Sequence, residues 1–288
     1  MSRHPHLSRR QCLIGLSGGL LASSFAWAQE PTLMEKIRAR GTLKVALYKD
    51  NMPYSDGNAN GMSGLDADLG KALARQLGLN VAFLPFDAGE NMNDDLRNMV
   101  WKGHYMGYGP ADVMLHVPVD THLMNENRQA LILAPYCREQ LVVLHDSARL
   151  TQVSQPDDLQ GLRIGVERDA GSAAALLGYR AGLLRDQVSL YKSGTEAARA
   201  ALLGQCDAAF VTRAQAETAL FKNPAAHGWQ ISTLALPGLP ANGWPLGLAV
   251  KRDNTELAHL LETALADLRS SGELKQLFQS RGLTLVAP

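Results

Sequence analysis

Two apolar runs, 130–136 and 140–144, follow one another with no helical pattern between them, and the same rhythm of elements stands on either side. Before them, the β-branched and apolar runs 43–48, 81–86 and 112–117 read as strands. Between the first two, residues 64–77 carry Leu65, Leu69, Ala72, Leu73 and Leu77 at helical spacing, and Gly78 supplies the stop. After the extended stretch the alternation restarts. Strands are expected at 163–166, 188–191 and 207–211, with helices at 171–184 and 196–203. A last strand at 244–250 precedes a helix over 255–270 with Leu257, Leu260, Leu261, Leu265 and Leu268 on one face. Alternating strands and helices require parallel pairing with crossover helices. A single sheet of eight or more strands is a poorer solution than two lobes. The expected fold is therefore α/β with two lobes, each a mostly parallel sheet flanked by helices.

The first 28 residues read as an export signal. Arg9 and Arg10 precede an apolar stretch from Leu13 to Trp27, which ends in Ala26-Trp27-Ala28, a small-x-small cleavage pattern. That stretch is shorter than the roughly 20 apolar residues of a membrane span. The arginine pair also resembles a twin-arginine signal, with Cys12 where that motif has Phe, so both export routes stay open. Three of the 28 Lys+Arg and none of the 28 Asp+Glu lie in this segment, which leaves the remainder slightly acidic. A chain without a basic stripe is not expected to bind nucleic acid. Cys137 and Cys206 remain; they read as isolated buried side chains, although an export compartment would permit a disulfide.

Several blocks stand out: 34–45 (Met-Glu-Lys-Ile-Arg-Ala-Arg-Gly-Thr-Leu-Lys-Val) and 64–78, which opens Gly64-Leu65-Asp66-Ala67-Asp68-Leu69. Arg128 with Ala134-Pro135-Tyr136, the block 158–166, Asp207-Ala208-Ala209, and 247–257 follow them. In these blocks and their order the chain resembles the solute-binding proteins of family 3, the amino-acid-binding type. The resemblance implies the two-lobed periplasmic-binding-protein fold (type II), joined by two extended crossings, with lobe 1 at 31–138 plus 245–288 and lobe 2 at 139–244, a ligand between the lobes and hinge closure around it. No cofactor is implied.

The resemblance also nominates site residues. Arg128 stands where relatives fork an arginine onto the ligand carboxylate, or it forms a surface ion pair. The segment 116–128 is about four residues longer than the family pattern. Thr212 stands where relatives place the acid that holds an ammonium, which fits a carboxylate lacking an α-amine, or no small ligand at all. Asn51 aligns with the stacking aromatic, with Tyr48 and Tyr54 as substitutes. Gly171 and Ser172 open a helix and either present N–H groups to an anion or form an ordinary cap. His116 is expected to be a hydrogen-bonded histidine at a strand end, at the ligand site. His104, Asp112, Asp120 and His122 nearby lack metal-site spacing, so no metal is expected. The segment 101–112, rich in aromatics and glycine, reads as a shaped loop, packing its own rings or meeting a partner.

No nucleophile elbow, phosphate-binding loop or dinucleotide fingerprint occurs, and neither Glu167 nor Asp120 is selected as a catalytic group, so no enzyme is expected. The expected function is capture of a small polar or carboxylate-bearing solute for the permease of an ABC transporter. The alternative is a periplasmic accessory protein of a PQQ-dependent (quinoprotein) alcohol dehydrogenase.

Overall fold

A computed structural model describes residues 30–58 and 60–288; the expected signal peptide lies outside the described residues. The folded unit spans Leu33–Pro288. In chain order the first half contains α1 (Leu33–Arg40), β1 (Thr42–Tyr48), a small antiparallel sheet of β2 (Asp50–Asn51), β3 (Ser55–Asn58) and β4 (Gly61–Ser63), α2 (Leu65–Gln76) and β5 (Asn80–Phe86). Then come α3 (Met92–Leu96), β6 (Val113–Pro118), α4 (Thr121–Glu126) and β7 (Ala130–Glu139). The second half has β8 (Leu141–Asp146), β9 (Ile164–Glu167), α5 (Gly171–Gly178), β10 (Val188–Tyr191), α6 (Gly194–Leu202), β11 (Ala208–Thr212), α7 (Arg213–Phe221) and β12 (Trp229–Thr233). The chain returns through β13 (Trp244–Lys251), α8 (Thr255–Ser270) and α9 (Glu273–Gln279).

Two five-stranded sheets result, β5-β1-β6-β13-β7 and β10-β9-β11-β8-β12. Both are mixed. β1 pairs in parallel with β5 and β6, as the crossover helices require, while β13 is antiparallel to both β6 and β7. In the second sheet β9 is parallel to β10 and β11, while β8 is antiparallel to β11 and β12. The antiparallel members follow from the crossings: β7 leaves the first sheet and runs directly into β8, and β13 brings the chain back beside it. Only Gln140 separates β7 from β8.

Each sheet is covered on both faces, so its strands bury alternate residues on opposite sides. Along β1, Val45 and Leu47 join one core while Ala46 and Tyr48 join the other. Along β11, Ala208 and Phe210 face one layer, and Ala209 and Val211 the opposite one. Among the described residues no helix is long and apolar enough to cross a membrane. Cys137 and Cys206 are both buried and free, in different cores, and burial pushes both thiols up.

The helix expected over 171–184 ends early. After Gly178 the backbone takes positive φ at Arg180, Ala181 and Gly182, which an α-helix cannot accommodate. The expected shaped loop is well defined: the rings of His104 and Tyr108 stack at 4.3 Å, and His104 N–H donates to the Tyr108 carbonyl at 2.8 Å.

Candidate functional site

The C-terminal ends of β1 and β6 and the crossings from β7 and into β13 meet at one edge of the first sheet. Register shows this directly, since Leu246 of β13 faces Pro118 of β6, and Trp244 faces Glu139 of β7. The C-terminal ends of β9 and β11 approach the same place from the second lobe, the position where open α/β sheets bind ligands. Two adjoining hollows occupy it. One, of about 270 Å³, is lined by Tyr48, Asp50, Asn51, Met92, His116 and Trp244, among others. The other, of about 230 Å³, is lined by Gly171, Ser172, Thr212, Gln215, Leu239 and Trp244, among others. Glu167 and Trp244 line both, so the hollows are two halves of one interlobe cleft.

His116 is built into the lobe 1 half by a strained backbone. Its φ is +65°, a left-handed conformation that costs a non-glycine residue on the order of 1 kcal/mol. The pairing of β6 with β13 shifts register beside it, as does that of β7 with β13, where Ala134 also has positive φ. Gly247 makes both irregularities possible, because a Cβ there would press against the Leu133 carbonyl and the Val119 side chain. The strained turn aims the imidazole at α2, where His116 Nδ1 lies 3.0 Å from Asp66 Oδ2. Asp66 is completely buried, and its other oxygen accepts the Tyr136 hydroxyl at 2.7 Å. The Asp66 carboxylate thus joins Tyr136 on one side to His116 on the other.

Behind the imidazole lies Glu139, buried where β7 ends. It accepts from the Tyr54 hydroxyl and from Gln140 N–H, the latter at 2.9 Å. Burial pushes its carboxyl up, against donors from Tyr54 and Gln140 and the nearby His116 and Thr212. One buried acid therefore ties Tyr54 of lobe 1 to the start of the crossing. Tyr48 donates to Asp95 Oδ2 at 2.7 Å, and burial next to that acid raises its hydroxyl far above the ordinary value.

In the lobe 2 half, Glu167 ends β9. Its Oε2 accepts from Gly194 N–H at 2.8 Å and from the Gln215 side-chain amide at 2.9 Å. Gln215 in turn accepts from Thr212 N–H at 3.0 Å and caps α7 reciprocally with the Thr212 hydroxyl. Gly194 has to be glycine, because a Cβ would overlap the Gln215 amide. These bonds fix one Glu167 oxygen, while Oε1 has no partner among the described residues.

Of the nominated residues, the structure brings Tyr48, Asn51, His116, Gly171, Ser172 and Thr212 to the cleft. Arg128 is not there. It lies exposed just before β7, whose first residue pairs with Lys251 at the end of the sheet remote from the crossings, and its Nε points at the Asn125 carbonyl. Within the long 116–128 segment Thr121–Glu126 folds as α4, capped by Asp120, and this helix carries the arginine past the site. Tyr54 is also displaced from the expected role. It is buried beneath His116, ring centroids 4.4 Å apart, and contacts Glu139 rather than the hollow. Glu167 and Trp244 were not nominated. Glu167 directly follows the expected strand 163–166 and precedes a Gly-Ser helix start, and that position is the available signal. The remaining candidates disperse: Asp112 pairs with Arg40, and His122 with Glu126.

No family model matches the chain. It is 22% identical over 277 residues to the L-cystine-binding protein TcyJ of Escherichia coli (strain K12), covering 94% of each. Among solved structures, an ancestral cationic amino acid solute-binding protein superposes with a TM-score of 0.66 at 20% identity, covering 86% of this chain and 98% of that one. The unliganded, open L-cystine solute receptor of Neisseria gonorrhoeae gives 0.62 at 20% identity, covering 90% and 100%. The chain thus has the two-lobed fold of the periplasmic solute-binding proteins, and the resemblance to the amino-acid-binding type holds. These relatives give no support to the quinoprotein branch.

Proposed function

We propose that this chain is exported to the periplasm, captures a small polar solute between its lobes and presents it to the permease of an ABC transporter. The observation that carries this reading is the interlobe cleft, with polar groups from both lobes converging beside two extended crossings. The crossings are the only covalent links between the sheets among the described residues, as hinge closure requires. Relatives named for binding cystine, arginine and cationic amino acids support a solute of that size. The protein is a binder and not an enzyme on this reading: the buried acids Asp66 and Glu139 hold His116 and Tyr54 in place.

The test is a thermal-shift screen of the exported protein against the common amino acids, cystine, amines and small carboxylic acids, followed by calorimetry. A ligand at a hundredfold excess over its Kd should add about 2.7 kcal/mol of stability. Failure of every compound to stabilise the protein would overturn the assignment. Protein recovered from the periplasm is expected to begin at Gln29; retention of 13–27 would refute the export step.

A further inference from the structure

We infer that the cleft recognises its solute through a cationic amine, and that Glu167 is the residue that selects it. This deepens the solute-binding reading and rests on it. Neither half of the cleft has a Lys or Arg among its lining residues. Lys49, adjacent to the rim, pairs with Asp87 at 2.7 Å. Arg213, next to Thr212, is directed to Gln140 and Glu217. The charged groups that do line it are acids, Asp50 at the rim and Glu167 at the centre.

The Glu167 carboxylate is preorganised for a ligand. Two donors hold Oε2 and leave Oε1 for a third, so binding an ammonium there needs no rearrangement of the side chain. Across the cleft stands His116, held in place by Asp66 at its Nδ1. Tyr48 and Trp244 add aromatic surface, which attracts cations through the negative ring face. The complementary features for a carboxylate are weaker. They consist of the uncharged N–H groups where α5 begins, at Gly171 and Ser172, with no guanidinium opposite. A solute amine is therefore the required group and a carboxylate is an accessory one. The absence of an acid at Thr212 suggests the reverse preference, and Glu167 fills that deficit from the neighbouring strand.

The probes are L-lysine, 1,5-diaminopentane, which lacks a carboxylate, and glutarate, which lacks an amine. Titration calorimetry is expected to show binding of both amines, within about tenfold of each other, and none of glutarate. Glu167→Gln should weaken amine binding at least tenfold, in line with loss of a charge-assisted bond. Asp50→Asn, an exposed change that leaves the fold intact, should weaken it two- to fivefold at low salt and less at high salt. Binding of glutarate, or of other amine-free acids from the wider screen, in preference to amines would overturn the inference while leaving a solute-binding protein. Amine binding that survives Glu167→Gln would do the same. If nothing in the wider screen binds, both readings fall together.

Discussion

The buried pair Tyr136–Asp66 offers a direct test of how the site is held. Both side chains are fully buried, and the hydroxyl donates to the carboxylate at 2.7 Å. A hydrogen bond to a charged group contributes about 1.5–3 kcal/mol, and a buried polar atom left without a partner costs about 1–3 kcal/mol. Tyr136→Phe removes the donor alone, for an expected loss of about 2 kcal/mol. Asp66→Ala also strands the tyrosine hydroxyl, releases His116 Nδ1 and removes an acid from the first turn of α2. Its expected loss is about 4 kcal/mol. Once Asp66 is gone, the Tyr136 hydroxyl is a liability and not an asset. Adding Tyr136→Phe to Asp66→Ala should therefore cost almost nothing further, a coupling of about 2 kcal/mol. Urea denaturation of the four proteins at neutral pH measures this cycle. Additive losses, with a coupling below about 0.5 kcal/mol, would show that the pair does not anchor the site.

Three further outcomes are expected. Because burial raises the Glu139 carboxyl, the folded state holds its proton more tightly than the unfolded chain, so stability falls as pH rises through the folded-state titration. Glu139→Gln should gain on the wild type as pH rises above the ordinary carboxylate range, and urea midpoints across pH that run parallel would contradict this. Asp207 is held down at about 2, chiefly by hydrogen bonds from the Arg163 side chain, then by Arg163 N–H and Arg149. Its contribution is complete above the ordinary value near 3.8 and lost as pH falls through about 2. Asp207→Asn should thus destabilise lobe 2 at neutral pH by about 2 kcal/mol, a gap that narrows in acid denaturation. Arg128→Ala, at an exposed position remote from the cleft, should leave solute affinity unchanged and stability within about 0.5 kcal/mol; a large loss of affinity would restore the arginine to the site.

The sequence by itself determined the architecture, because it is written in local periodicity. The alternation of apolar runs with helical spacing, the long helix-free stretch before residue 144, and the stripe of leucines over 255–270 each reflect burial on one face. Those patterns survive in any fold that satisfies them, and the helix found at Thr255–Ser270 has the bounds its leucines set. Short elements were less legible. The helices α3 and α4 have five and six residues, too few to show a period, and α4 is the reason Arg128 misses the cleft. Only the tertiary structure decided the chemistry of the site. His116 faces Asp66 because a register shift opposite Gly247 gives it a left-handed backbone, and 50 residues separate the pair in sequence. Glu167 is aimed by Gly194 and Gln215, which belong to two different helices. Local spacing sets which face a residue lies on. Which distant groups meet it, and what charge the cleft presents to a solute, depends on strand register and helix packing, and no local pattern encodes those.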